Sequence, residues 1–278
     1  MIRFIVVLFF ILMSATAFAQ KKGITVAQPA PVFTATHDSL LKLMMVWVND
    51  SDVFHRMEAN GNFVKLLSRT LKQEQGFQFN LDTLKNVSCI SDPENTFRII
   101  TWMFLGYEGG YRHFGCIQFQ ENNRIIPFSD RTEYISLPED TLLTPQRWFG
   151  ATYYQLVPSG KKKYLLIGFN KTEPFMNQKV LEVLDLSNPQ QPVFGSPIFS
   201  TDSAQKIFKY RKVFQYSVMA SMIMRYEEKE KKIILDHLVP VEERFKGMYF
   251  NYIPDGSLDA FRLKKGKWIF SDNVVFGK

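Results

Sequence analysis

FRIITWMF (97–104) and YRHFGCIQF (111–119) decide the fold class. Both runs are rich in β-branched and aromatic residues, and neither carries the 3.6-residue spacing of an amphipathic helix. Residues 107 to 110, Tyr107 to Gly110, lie between them and are short enough for a hairpin. Two adjacent strands joined in this way must be antiparallel.

The same grammar continues from about residue 86 to the end. Short apolar runs such as RIIPF (124–128), TEYISL (132–137), KYLLIGF (163–169), SMIMRYEE (221–228), KKIILDHLV (231–239), MYFNYI (248–253) and KWIFSDNVVF (267–276) alternate with turn residues. Further hairpins are expected at Ser159-Gly160-Lys161, at Glu228 to Glu230 and at Lys264-Lys265-Gly266, and Pro254-Asp255-Gly256 reads as a turn. KVLEVLDL (179–186) is ambiguous, since a helix of two turns fits it as well as a strand does. No repeat period emerges, so a propeller is not indicated.

Upstream, the spacing is helical. Leu40, Leu43, Met44 and Trp47 recur at i, i+3, i+4 and i+7 behind the N-cap candidates His37-Asp38-Ser39. Phe63, Leu66, Leu67 and Leu71 form a second stripe between about Asn62 and Gln75, with Gly76 as the stop. The expected fold class is therefore mainly β (α+β): a large antiparallel β domain of consecutive hairpins, 86–278, behind a helical N-terminal segment, 37–85. Residues 20–36 hold two prolines, have little pattern, and read as a flexible lead.

The first nineteen residues read as a signal peptide. Arg3 gives a positive start, Phe4 to Met13 an apolar core, and Ala17-Phe18-Ala19 a cleavage site. The apolar core is too short to span a bilayer, and the other long apolar stretch, LLKLMMVWV (40–48), is also too short and carries Lys42. An exported protein, periplasmic or extracellular, without a transmembrane segment in the mature chain, is the expectation.

The chain has 278 residues and a formal net charge of +7. The excess is scattered over expected turns, as in Lys161 to Lys163 and Lys229 to Lys232, where it guards sheet edges. No element interleaves aromatic with basic residues, so nucleic acid is not an expected partner. Cys89 and Cys116 are the only cysteines. A bridge would close a loop of about 28 residues and stabilise by roughly 3.6 kcal/mol in the chain-entropy model. Two separate buried thiols fit the apolar contexts VSCI and FGCIQF equally well.

The motifs of nucleotide binding, serine hydrolases and zinc proteases are missing, as is C-x-x-C. His37, His55, His113 and His237 lie far apart, with no pair at metal-ligand spacing, so neither a metal nor a cofactor is expected. DGSLD (255–259) lacks the alternating oxygen ligands of a calcium loop. Asp236-His237 has the look of half a hydrolase triad. In a strand, however, neighbours point to opposite faces, so the partner of His237 must come from the next strand. A hairpin centred on Lys229 sets Ser221 opposite His237, the minimum of nucleophilic catalysis, and a slip of one residue destroys the pairing. Glu108, Asp236, Asp255 and Asp259 are candidates for a carboxylate pair. Tyr107, Tyr111, Tyr153, Tyr154, Tyr249 and Tyr252 could instead build a sugar- or peptide-binding face, although ordinary sheet packing also accounts for tyrosines in strands.

YYQLVPSGKKKYLLIGFN (153–170), PVFGSPIF (192–199), VFQYS (213–217), MRYEEKEKKIILDHLVP (224–240) and YIPDGSLDAFRLKKGKW (252–268) resemble a family of exported, β-rich proteins of Bacteroidota with no assigned activity. The resemblance covers roughly residues 148 to 268. It implies export and a β-rich fold, and it brings no catalytic residue. The expected function is that of a non-enzymatic periplasmic or secreted binding or envelope-associated protein with an envelope or polymer ligand. The alternative is a hydrolase of such substrates using His237 or convergent carboxylates, with Ser221, Asp255 and Asp259 as the other candidates.

Overall fold

A computed structural model of the chain describes residues 31–107, 109–201 and 207–272. The expected signal peptide, most of the lead, Glu108 and the tail of the last run lie outside the described residues. In chain order the helices are α1 (Pro31–Asn49) and α2 (Val53–Leu71). The strands are β1 (Val87–Ser91), β2 (Phe97–Leu105), β3 (Tyr111–Phe119), β4 (Ile125–Ser129), β5 (Thr152–Pro158), β6 (Lys163–Asn170), β7 (Met176–Asp185) and β8 (Val193–Phe194). They continue with β9 (Phe199–Ser200), β10 (Phe208–Lys209), β11 (Arg211–Ser217), β12 (Met224–Glu227), β13 (Lys232–Pro240), β14 (Tyr252–Lys264) and β15 (Lys267–Ser271).

The protein is β-rich and antiparallel behind two helices, and its strands form three sheets. Their orders are β1-β2-β3-β4, β11-β7-β6-β5 with β8 beside β7, and β10-β9-β15-β14-β13-β12. Side-chain alternation stacks them. On β2 and β3, Ile100, Trp102, Phe104 and Cys116 face Leu40, Trp47, Phe63 and Leu67 of the helices. Their odd-numbered neighbours Phe97, Ile99 and Ile117 meet Leu166, Val180 and Leu184 of the second sheet. The opposite face of that sheet, with Leu165, Ile167, Leu181 and Val183, packs on Ile233, Leu235, Phe261 and Trp268 of the third. Helices and three sheets thus make four layers. The middle strands are covered on both faces, which is why FRIITWMF and KYLLIGF read as continuous apolar runs. KVLEVLDL is part of β7, a strand.

Several local expectations are corrected. Helix α1 starts at Pro31, a residue suited to a first helical turn, so His37 lies inside it. Helix α2 is capped by Asp52, whose carboxylate accepts from Phe54 N at 2.7 Å, and it runs through Gly61. It stops at Leu71. Gly76 is instead a close-approach residue, since a Cβ there would collide with the Leu71 carbonyl. TEYISL is no strand; Thr132–Tyr134 forms a 3-10 turn. Pro254-Asp255-Gly256 does not reverse the chain. It is a bulge within β14, where Asp236 pairs with Leu258 but Leu238 with Pro254.

The possible disulfide does not form: Cys89 and Cys116 are free. Both are opposite Ile100, on the two strands flanking it, so two strand spacings of about 4.8 Å separate them. That exceeds the span of about 7 Å that a bridge can cross. Burial pushes the Cys116 thiol up to about 12.

A candidate binding cleft at the edge of the second sheet

A cleft of about 640 Å³ runs along the outer edge of β11. Its lining includes Val213 and Gln215 from one face of β11 and Phe214 from the other, so it opens beside the strand rather than over it. One wall is the segment of 3-10 turns at Thr132–Tyr134 and Pro138–Asp140. The other is formed by β13, β14 and the 3-10 turn Tyr249–Asn251.

Hairpin geometry places His237. The β12–β13 connection has four residues, 228–231, with Lys231 in the left-handed region at φ 47°, and Glu227 pairs with Lys232. This is one residue out of the register that sets Ser221 opposite His237. Ser221 lies exposed ahead of β12 and is not brought to the histidine. The partner of His237 comes from the other neighbour, β14: Nδ1 lies 3.0 Å from both carboxylate oxygens of Asp259. Asp259 is buried and His237 partly exposed at the cleft. Asp236 lines the cleft too, because the β14 bulge distorts the alternation that would separate them. Its Oδ2 accepts from Ile223 N at 2.7 Å.

The other candidates divide. Asp255 is fully exposed; Ser257 donates to it from N at 2.9 Å and from Oγ at 2.7 Å, and these bonds, with a contribution from nearby His237, hold its carboxyl below the usual range. Tyr249 and Tyr252 reach the cleft, with ring centroids 5.0 Å apart. Tyr107 is exposed elsewhere, Tyr111 sits under Lys171, and Tyr153 is wholly buried. Tyr154 donates to the Met224 carbonyl at 2.8 Å, and burial raises its hydroxyl well above the ordinary value. No single aromatic face forms.

Four contributors carried no sequence signal. Glu139 bonds Lys212 Nζ at 2.9 Å and accepts the Val213 backbone N–H at 2.9 Å, standing in for a strand carbonyl. Glu173 projects from an exposed position. Gln178 and Gln215 are cross-strand partners, and the buried Oε1 of Gln178 has no hydrogen-bond partner among the described residues. Lys179 lies nearby on β7; burial lowers its pKa and the Asp236 charge opposes that. Burial, with the Asp236 charge, likewise lifts the Tyr216 hydroxyl to about 12.

Among the described residues no three His, Cys, Asp or Glu side chains cluster as a metal site, and no helix is long and apolar enough to cross a membrane. No family model, curated protein or solved structure matches the chain.

Proposed function

We propose that the protein is an exported, non-enzymatic, envelope-associated binding protein, and that the cleft beside β11 takes a polymer-derived ligand rich in hydrogen-bond donors. The observation that carries the reading is the cleft's acceptor set. Among the described residues Gln178 Oε1 is buried without a partner, and the carboxylates of Glu173 and Asp236 line the same space. A buried acceptor left unpaired costs about 1–3 kcal/mol, which a donor on a ligand would recover. A cleft of about 640 Å³ is within the range of specific ligand sites. Export is supported by the order of charge, apolar run and small residues at the N-terminus.

The test is capture from a native envelope extract by immobilised protein, wild type beside the double variant Glu173→Gln/Asp236→Asn. Material held by wild type and lost by the variant supports the cleft as the site. Equal recovery by both removes the reading. A second reading, hydrolysis of envelope or polymer substrates, is favoured by the His237–Asp259 pair, in which a carboxylate orients an imidazole as a general base requires. It demands turnover that disappears in His237→Ala; turnover unchanged in that variant ends it.

A further inference from the structure

We infer that the cleft binds an extended peptide as an added strand on β11, and that the peptide carries a Lys or Arg side chain and, two or four positions from it in either direction, a large apolar one. This inference rests on the binding reading of the same cleft and names its ligand class.

The backbone comes first. β11 is the terminal strand of its sheet. The Val213 N–H leaves the sheet toward Glu139, and on the far side of the ladder the Val183 carbonyl turns to Gly195 N at 2.7 Å. Both fix the same alternation: residues 212, 214 and 216 bond β7, while 211, 213, 215 and 217 face outward. Glu139 occupies the first half of this edge, through its carboxylate at Val213 and its carbonyl at Tyr210 N, 2.8 Å. Among the described residues the Val213 carbonyl, both backbone groups of Gln215 and the Ser217 N–H in the second half have no backbone partner, and Gln215 lines the cleft. Four residues of strand span about 13 Å, enough for four inter-strand hydrogen bonds. Such rows of unpaired groups are what added strands recognise.

The side chains then select. The cleft beside this edge is acidic, with Asp236 lining it and Glu173 lining both it and the hollow beyond, whereas Lys212 is already held by Glu139. Farther along, the cleft joins a second hollow that shares Glu173 and Met176 and is walled by Phe175 and Phe250 beside Ser217. Both phenylalanines are exposed, Phe175 by 76% and Phe250 by 50%. A strand bound along this edge places alternate side chains about 6.6 Å apart on one side. A cation near Glu173 and an apolar residue between the phenylalanines therefore fall two or four positions apart.

The experiment uses the full exported chain and a fluorescent peptide, acetyl-Thr-Lys-Thr-Phe-Thr-Lys-Thr-amide, followed by anisotropy. Three comparison ligands accompany it: the same peptide N-methylated at alternate residues, its Lys-to-Glu counterpart, and a neutral hexasaccharide. N-methylation and Lys-to-Glu are each expected to weaken binding by at least about tenfold. Gln215→Pro removes the outward N–H from an edge strand, where proline is tolerated, together with a side chain that lines the cleft, so it is read against Gln215→Ala, which keeps the N–H, and should cost about tenfold beyond that variant. An N-methylated peptide that binds as well as its parent overturns the added strand without reliance on any variant. Hexasaccharide binding that is lost in Glu173→Gln/Asp236→Asn, with no peptide binding, overturns the peptide and keeps the cleft. If neither ligand binds in a way that the double variant alters, both readings fall.

Discussion

Arg211→Met is the perturbation with the most structure behind it. Arg211 is wholly buried on β11. Its Nε donates to Glu182 at 2.8 Å, Nη2 to the Phe194 carbonyl at 3.0 Å, and Nη1 to the carbonyls of Thr141, at 2.8 Å, and Pro138. Glu182 is also buried and accepts from the Tyr153 hydroxyl, which in turn accepts from Trp148 Nε1 at 2.8 Å. Methionine fills similar space but donates nothing. The variant leaves the Glu182 carboxylate with the Tyr153 hydroxyl alone and takes a donor from three carbonyls, of which Phe194 keeps Leu143 N at 2.9 Å and Pro138 keeps Thr141 N at 3.5 Å, and breaking a buried pair from one side costs about 3–5 kcal/mol. Against a total of about 5–15 kcal/mol this is a large share. With a urea slope of about 3 kcal/mol/M, the unfolding midpoint should fall by about 1–1.7 M. Adding Glu182→Gln removes the stranded charge, so Arg211→Met/Glu182→Gln should regain about 1–2 kcal/mol over the single variant. Urea unfolding followed by tryptophan fluorescence and circular dichroism measures both steps and checks that the transition is two-state. A single-variant loss below about 1 kcal/mol, or a double variant no more stable than the single, would refute the assignment of the pair as the strut of this layer.

Two further outcomes concern acid and thiols. Asp130 is buried, which raises its carboxyl, but the His113 imidazole at 3.4 Å and hydrogen bonds from Thr132 and the His113 backbone more than reverse this and leave it at about 2. A carboxyl lowered in the fold stabilises above its unfolded value near 3.8 and loses that contribution as pH falls from about 4 to 2. Asp130→Asn should therefore remove about 2 kcal/mol at pH 6 and flatten the acid limb of stability against pH; parallel limbs for the two proteins count against the argument. Cys116, which is buried, should react with a thiol reagent only after unfolding, the partly exposed Cys89 should react sooner, and a reductant should leave the melting temperature unchanged. A drop in melting temperature under reductant would place a bridge where the strand spacing forbids one.

The layers were more legible than the site. FRIITWMF and KYLLIGF announce strands buried on both faces by refusing to alternate, and the helical stripes around Leu40 and Phe63 mark the outer layer. KVLEVLDL misleads because Glu182 looks like the wet side of a helix. Its partner Arg211 is 29 residues away, and nothing local foretells a buried pair. The slip at His237 has an equally physical cause. Lys231 takes a left-handed conformation that lysine rarely adopts, lengthening the loop without the Gly or Asn that would flag it. Asp259 could be suspected as a polar residue in a strand, but its pairing with His237 required the register. Glu139, Glu173, Gln178 and Gln215 meet only through three separate connections and had no pattern to betray them.

The treatment of sheet edges argues for the slot. Exposed edges invite unwanted pairing, and this chain closes two of them with side chains that imitate a strand. On β12, Gln155 takes the Tyr226 N–H at 2.8 Å and donates to its carbonyl at 3.2 Å, while Tyr154 donates to the Met224 carbonyl. On β5, Thr101 Oγ1 accepts the Tyr153 N–H at 3.0 Å and Ser88 donates to the Tyr153 carbonyl. Glu139 does the same for the first half of β11 and stops at Val213. The groups of Gln215 and Ser217 that follow are flanked by carboxylates on one side and two exposed phenylalanines at the end. Beyond Lys212, which Glu139 holds, residues 213–217 carry none of the ordinary guards of an open edge, neither a lysine, nor a proline, nor a bulge. This one carries recognition chemistry of two kinds, carboxylates and exposed aromatic rings, beside the same open stretch of strand.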